Sequence, residues 1–127
     1  MIRADSQPTN YQTEFTNGVH RSTADTTPNK GGANLGIRPY ELLEAALASC
    51  MNMTLRMAAD KQGIPLSSVS VTVSLNREEP GKSVLEYCVE FGGALSEAQK
   101  SQLLAAMETC SVRNTLSQPL RFIPCSR

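Results

Sequence analysis

Four thiols stand out as side chains that could do chemistry: Cys50, Cys88, Cys110 and Cys125. The reactive form of any of them is the thiolate, which attacks oxidants and disulfides and binds metals. No two of them form a CxxC pair, and the one histidine is His20. Zinc sites are built from close ligand pairs, so no structural zinc site is expected. A Cys–His nucleophile would have to recruit His20 from a Gly/Thr-rich segment far upstream. His20 reads more simply as a strand or turn residue.

Cys50 lies in a long apolar run, PYELLEAALASCMNMTLRMAADKQ. Read locally, it is first a small core residue, because apolar burial raises a thiol's pKa and leaves it inert. To work, it needs a cation brought to it, and an arginine is the natural choice. Cys110 precedes Ser111 and Arg113 at the junction of one helix with a further turn. Backbone N–H groups at a helix start lower a thiol pKa, so a packed end-cap residue and a working thiol are equally open readings there. Cys88 falls on the wetter face of a strand, Cys125 falls in a tail, and both are read as incidental. Met51, Met53 and Met57 have helical spacing and read as core filling.

The elements that must position these thiols follow from pattern. Residues 1–10 form a loose arm or a short edge strand, and Tyr11 to Phe15 alternates. Asn17-Gly18 marks a hairpin, with Val19 to Thr23 returning. Residues 25–38 are Gly- and Pro-rich and read as a loop. Pro39 opens a helix that carries Glu41 in its first turn and stops at Gly63, ahead of Pro65. Apolar on nearly all sides, this helix is expected to be buried on most of them, partly by a second subunit. Val69, Val71, Val73 and Leu75 alternate with polar residues, NREEPGK turns, and Val84 to Phe91 returns as a second strand. Ser96 and Gln99 form a capping box for a helix with Leu103, Leu104 and Met107 at core spacing. SVRNTL is a short turn or helix, and Leu120 to Ile123 can add a last strand. The layout is α+β, with a helix against antiparallel sheet.

At 127 residues the chain suits one domain, spanning 1–127, large enough for a real core. Formal net charge is zero and the pI is about 6.6, so no nucleic-acid or membrane partner is expected. The absence of tryptophan argues against a stacking surface for bases. No apolar run is long enough to span a bilayer, and the N-terminus lacks a secretory pattern. The expected location is cytoplasmic, where static disulfides are uncommon.

Two segments then resemble a known family. PYELLEAALASCMNMTLRMAADKQGIPLSSVSVTV resembles the central helix and following strand of the OsmC/Ohr family, the osmotically inducible and organic-hydroperoxide-resistance proteins. CSVRNTL resembles that family's second cysteine segment, commonly Cys-Pro-Val-x-Asn-Thr-Leu, and the lead-in GGANLGIRPYELL also fits. The similarity runs over roughly residues 11–122.

The resemblance implies an OsmC-like fold, antiparallel sheets packed on a long central helix, in an intertwined homodimer. It implies a cysteine-based peroxidase in which Cys50 attacks a small hydrophobic hydroperoxide and becomes a sulfenic acid. Cys110 then closes a disulfide, and a dithiol of the lipoyl type reduces it, with no metal or bound organic cofactor required. The family's catalytic carboxylate commonly lies ten residues before the first cysteine, where this sequence has Tyr40, with Glu41 next to it. At about 100° per residue, Glu41 lies roughly opposite Cys50 on a regular helix and Glu44 about 120° away. The family's arginine has three candidates, Arg21, Arg3 and Arg38. The position after the second cysteine is Ser111 rather than proline. These departures define a divergent branch. They leave open a non-enzymatic redox sensor, or a structural dimer with inert thiols, on the same fold.

Overall fold

The protein's structure is a computed structural model that describes residues 1–125. The described residues divide into two compact units, 1–44 and 45–125.

The first unit holds a three-stranded antiparallel sheet of β1 (Arg3–Ser6), β2 (Thr13–Thr16) and β3 (Arg21–Ala24), in the order β1-β2-β3. The N-terminal arm is thus a short edge strand, with Arg3 opposite Thr16 and Ser6 opposite Thr13. The expected hairpin turns at Asn17-Gly18, where Gly18 takes a φ of 97° that disfavours a side chain. The Asn17 carboxamide oxygen accepts the N–H groups of Val19 and His20. The Gly-rich loop that follows is organised around Asp25, which is buried. Its carboxylate accepts N–H bonds from Thr26, Ala33 and Leu35, and these hold its pKa below the ordinary carboxylate value.

Helix α1 (Pro39–Gln62) has the bounds the sequence implies. Arg38 caps it, with its carbonyl accepting the Leu42 N–H and its own N–H given to the Glu41 carboxylate at 2.9 Å. Gly63 ends the helix with φ 65°.

The second unit packs the body of α1 against the hairpin of β4 (Ser68–Asn76) and β5 (Val84–Gly92), paired from Ser68–Gly92 to Asn76–Val84. Leu47, Met51, Leu55 and Ala59 form one buried stripe at i, i+4 spacing. Val69, Val71, Val73, Leu85, Val89 and Phe91 face it from the sheet. Asn52 donates to the Val69 carbonyl, and Arg56 donates to the Leu66 carbonyl, tying the helix to the chain entering β4. Helix α2 (Glu97–Ala106) opens with the reciprocal Ser96–Gln99 capping box. It buries Leu103, and Met107 follows in a 3-10 turn. Helix α3 (Ser111–Leu116) comes next.

Within one chain α1 buries a single stripe and leaves Met53 and Met57 exposed. Two expectations are corrected. Leu104 is exposed as well, because only the i, i+4 pair Leu103 and Met107 turns inward. Residues 120–123 form no strand, and Leu120, Phe122 and Ile123 are exposed. A strand exists only through a partner, neither sheet takes this segment, and Pro119 and Pro124 beside it have no N–H to give. Among the described residues no helix is long and apolar enough to cross a membrane.

Candidate active site

Cys50 sits at the middle of α1 on the shoulder of the buried stripe, next to Met51, and is only partly covered. Cys110 reaches it from the other side of the core. The 3-10 turn Met107–Thr109 breaks the helical run, with the Cys110 N–H bonded to the Met107 carbonyl at 3.0 Å. Cys110 is then extended (φ −62°, ψ 113°) as the residue before α3, and its carbonyl accepts the Asn114 N–H. The Asn114 carboxamide donates to the Glu108 carbonyl, closing the turn. This backbone path drives the Cys110 side chain fully into the core beside Leu103 and Met107.

The two sulfurs lie 3.0 Å apart, with the Cys110 thiol donating to Cys50. Both are free thiols. A disulfide bond is about 2.05 Å long, so closing one needs a movement of roughly 1 Å. The Ser111 hydroxyl lies 3.8 Å from the Cys50 sulfur, and the Val112 N–H also points to it.

The pair is electrostatically unequal. The Cys50 thiol is lowered from the ordinary 9.0 to about 7. The hydrogen bond from Cys110 is the largest cause, opposed by burial and aided by the Val112 N–H and the Ser111 hydroxyl. Thr54 adds least, since its hydroxyl proton is given to the Cys50 carbonyl at 2.8 Å. Cys110 moves the other way: burial pushes its thiol up, and the neighbouring Cys50 pushes it further. Cys50 is therefore the more acidic thiol of the pair and Cys110 the less acidic.

A cleft of about 260 Å³ adjoins this part of α1, lined by Leu47, Met51, Leu85, Tyr87, Arg113 and Leu116 among others. Its walls are mixed, with aliphatic side chains from α1 and β5 beside the Tyr87 ring, the Arg113 guanidinium and the Ser117 hydroxyl.

The remaining candidates belong to the first unit, and each has a partner there. Arg21 pairs with Glu14 at 2.8 Å, Arg3 with Asp5 at 2.9 Å, and Arg38 with Glu41 at 3.0 Å. The Arg38 side chain and N–H together hold the Glu41 carboxyl below its ordinary range, so Glu41 is an anion that caps α1. Tyr40 is exposed. Cys88 and Cys125 are exposed and free. Among the described residues no group of three or more His, Cys, Asp and Glu side chains could hold a metal ion.

Sequence reasoning passed over two participants. Thr54 was findable, being four residues beyond Cys50 and so on its helix face. The Ser111 hydroxyl was noted only as a departure from proline, and its aim at Cys50 depends on the turn before α3.

Two cysteines in contact on this α+β frame define a class, and comparison with known proteins gives the family. The family model described as OsmC-like protein matches residues 31–123, so the chain belongs to the OsmC-like protein family. No curated protein matches it. Among solved structures, the chain is similar to an OsmC-like protein from Mycoplasma pneumoniae, with a TM-score of 0.77, 22% identity, and 92% of this chain and 86% of that one covered. It is similar also to an organic hydroperoxide resistance protein OsmC from Legionella pneumophila, with a TM-score of 0.66, 24% identity and coverage of 91% and 87%. A third is an organic hydroperoxide resistance protein from Elizabethkingia anophelis, with a TM-score of 0.67, 21% identity and coverage of 90% and 84%. At these identities the likeness shows the fold.

Proposed function

We propose that this protein is a cysteine-based peroxidase that reduces organic hydroperoxides to alcohols. One observation carries the reading: a Cys50 thiol lowered to about 7 lies 3.0 Å from a protonated, buried Cys110. The Cys50 thiolate attacks the terminal oxygen of ROOH. The O–O bond breaks, the alkoxide takes a proton and leaves as ROH, and Cys50 becomes a sulfenic acid. The Cys110 sulfur then attacks the Cys50 sulfur, forming the disulfide and expelling water. A dithiol of the lipoyl type reduces it through a mixed disulfide and is itself oxidised to a cyclic disulfide. Exposure directs that attack to Cys50, since Cys110 is buried.

The names of two similar structures, both organic hydroperoxide resistance proteins, support the substrate class. Exposed Met53 and Met57 support a homodimer that covers the rest of α1. The cytoplasm, with its dithiol reductants, suits the cycle. Glu41 and Arg21 are assigned no step, because each has a partner of its own.

Steady-state consumption of cumene hydroperoxide with dihydrolipoamide, comparing wild type with Cys50→Ser, tests the reading. Turnover lost in the variant is expected. Wild type inactive on organic peroxides and hydrogen peroxide alike would overturn it. That outcome would favour the redox-sensor reading, which the engagement of Glu41 with Arg38 independently supports.

A further inference from the structure

We propose that Ser111 is a catalytic residue of this site, its hydroxyl donating a hydrogen bond to the Cys50 thiolate. The proposal deepens the peroxidase reading and rests on it for the use to which the thiolate is put.

The geometry is specific. Ser111 is the first residue of α3, directly after Cys110, and its hydroxyl lies 3.8 Å from the Cys50 sulfur. That separation is long for a bond to neutral sulfur, and such bonds shorten when the acceptor carries charge. The same turn presents the Val112 N–H to the same sulfur. The segment 110–112 therefore gives Cys50 three donors: a thiol, a hydroxyl and a backbone N–H.

These donors differ in lifetime. The Cys110 proton leaves when the disulfide forms, so that donor is consumed in each cycle. The Ser111 hydroxyl and the Val112 N–H are present throughout. Ser111 is exposed, so its hydroxyl sits on the solvent side of Cys50. That is the side from which a peroxide arrives, whereas Cys110 approaches from the core.

The backbone lets the hydroxyl be removed cleanly. The first position of a helix tolerates alanine and favours proline, and the extended Cys110 is compatible with a following proline. Ser111→Ala and Ser111→Pro therefore delete the donor by independent routes, and Ser111→Thr keeps it.

The test follows the rate of iodoacetamide alkylation at Cys50 in the reduced full-length chain across about pH 5 to 10, read by peptide mass spectrometry so that the other three thiols do not interfere. Loss of this hydrogen bond moves the midpoint up by about half a pH unit or more in Ser111→Ala and Ser111→Pro, less than loss of the Cys110 donor does. Ser111→Thr stays within about 0.3 of wild type. Midpoints in Ser111→Ala and Ser111→Pro that match wild type, or a Ser111→Thr midpoint displaced as far as theirs, overturn the proposal. Peroxide turnover plays no part in this readout. A displaced midpoint in a protein that consumes no peroxide upholds the donor and defeats the peroxidase reading alone.

Discussion

Replacing Cys110 with alanine should make Cys50 a much weaker acid. The fall of the Cys50 thiol from 9.0 to about 7 corresponds to roughly 3 kcal/mol favouring the thiolate. Burial works against that figure, so the donors together supply more than the net, and Cys110 supplies the largest part. With the Cys110 proton gone, burial remains and only the Val112 N–H and the hydroxyls oppose it. The midpoint for alkylation at Cys50 should then rise to roughly 8 or higher. Cys110→Ser keeps an O–H donor at the same place and should give a smaller rise. The removed group is small and the surrounding Leu103 and Met107 are in place, so the variant should fold. Site-resolved alkylation against pH measures the effect directly. A midpoint still near 7 in Cys110→Ala would show that the sulfur–sulfur contact does not set the acidity of Cys50, and the assignment of roles would lose its basis.

Leu55 is fully buried on α1, and Leu55→Ala should cost about 2–5 kcal/mol, read from urea unfolding. Ser96→Ala removes one half of the capping box and should cost about 1 kcal/mol by the same measurement. Asp25 has a depressed pKa, so its contribution to stability is present above the unfolded value of 3.8 and is lost as pH falls through the lower folded value. Asp25→Asn should melt lower than wild type at neutral pH, and the gap should close as the solution is acidified into that range. A gap that does not depend on pH would refute the ionised clasp.

Much of the second unit was legible in the sequence because its signals are local. The strict alternation of Val69 to Leu75, the Pro39 and Gly63 bounds of α1, and the Ser96–Gln99 capping box each act within a few residues. Features set by non-local partners were not legible. Leu120 to Ile123 has strand-like composition, yet no strand of this chain pairs with it. Asp25 looks like an ordinary loop aspartate until residues 33 and 35 fold back on it. The site divides the same way. The two cysteine segments could be matched to a family in their order along the chain. The 3.0 Å approach of the sulfurs depends on the 3-10 turn at Met107–Thr109, which no residue pattern announces. The donors that lie next to Cys110 in the chain come within reach of Cys50 only through the same turn.

The most direct test treats reduced protein with one equivalent of cumene hydroperoxide and maps the cysteines under non-reducing conditions. The account predicts a disulfide joining Cys50 to Cys110, with Cys88 and Cys125 left as thiols. A product in which Cys50 is oxidised beyond the sulfenic acid while Cys110 stays a free thiol, or one whose disulfides run to Cys88 or Cys125, would contradict it.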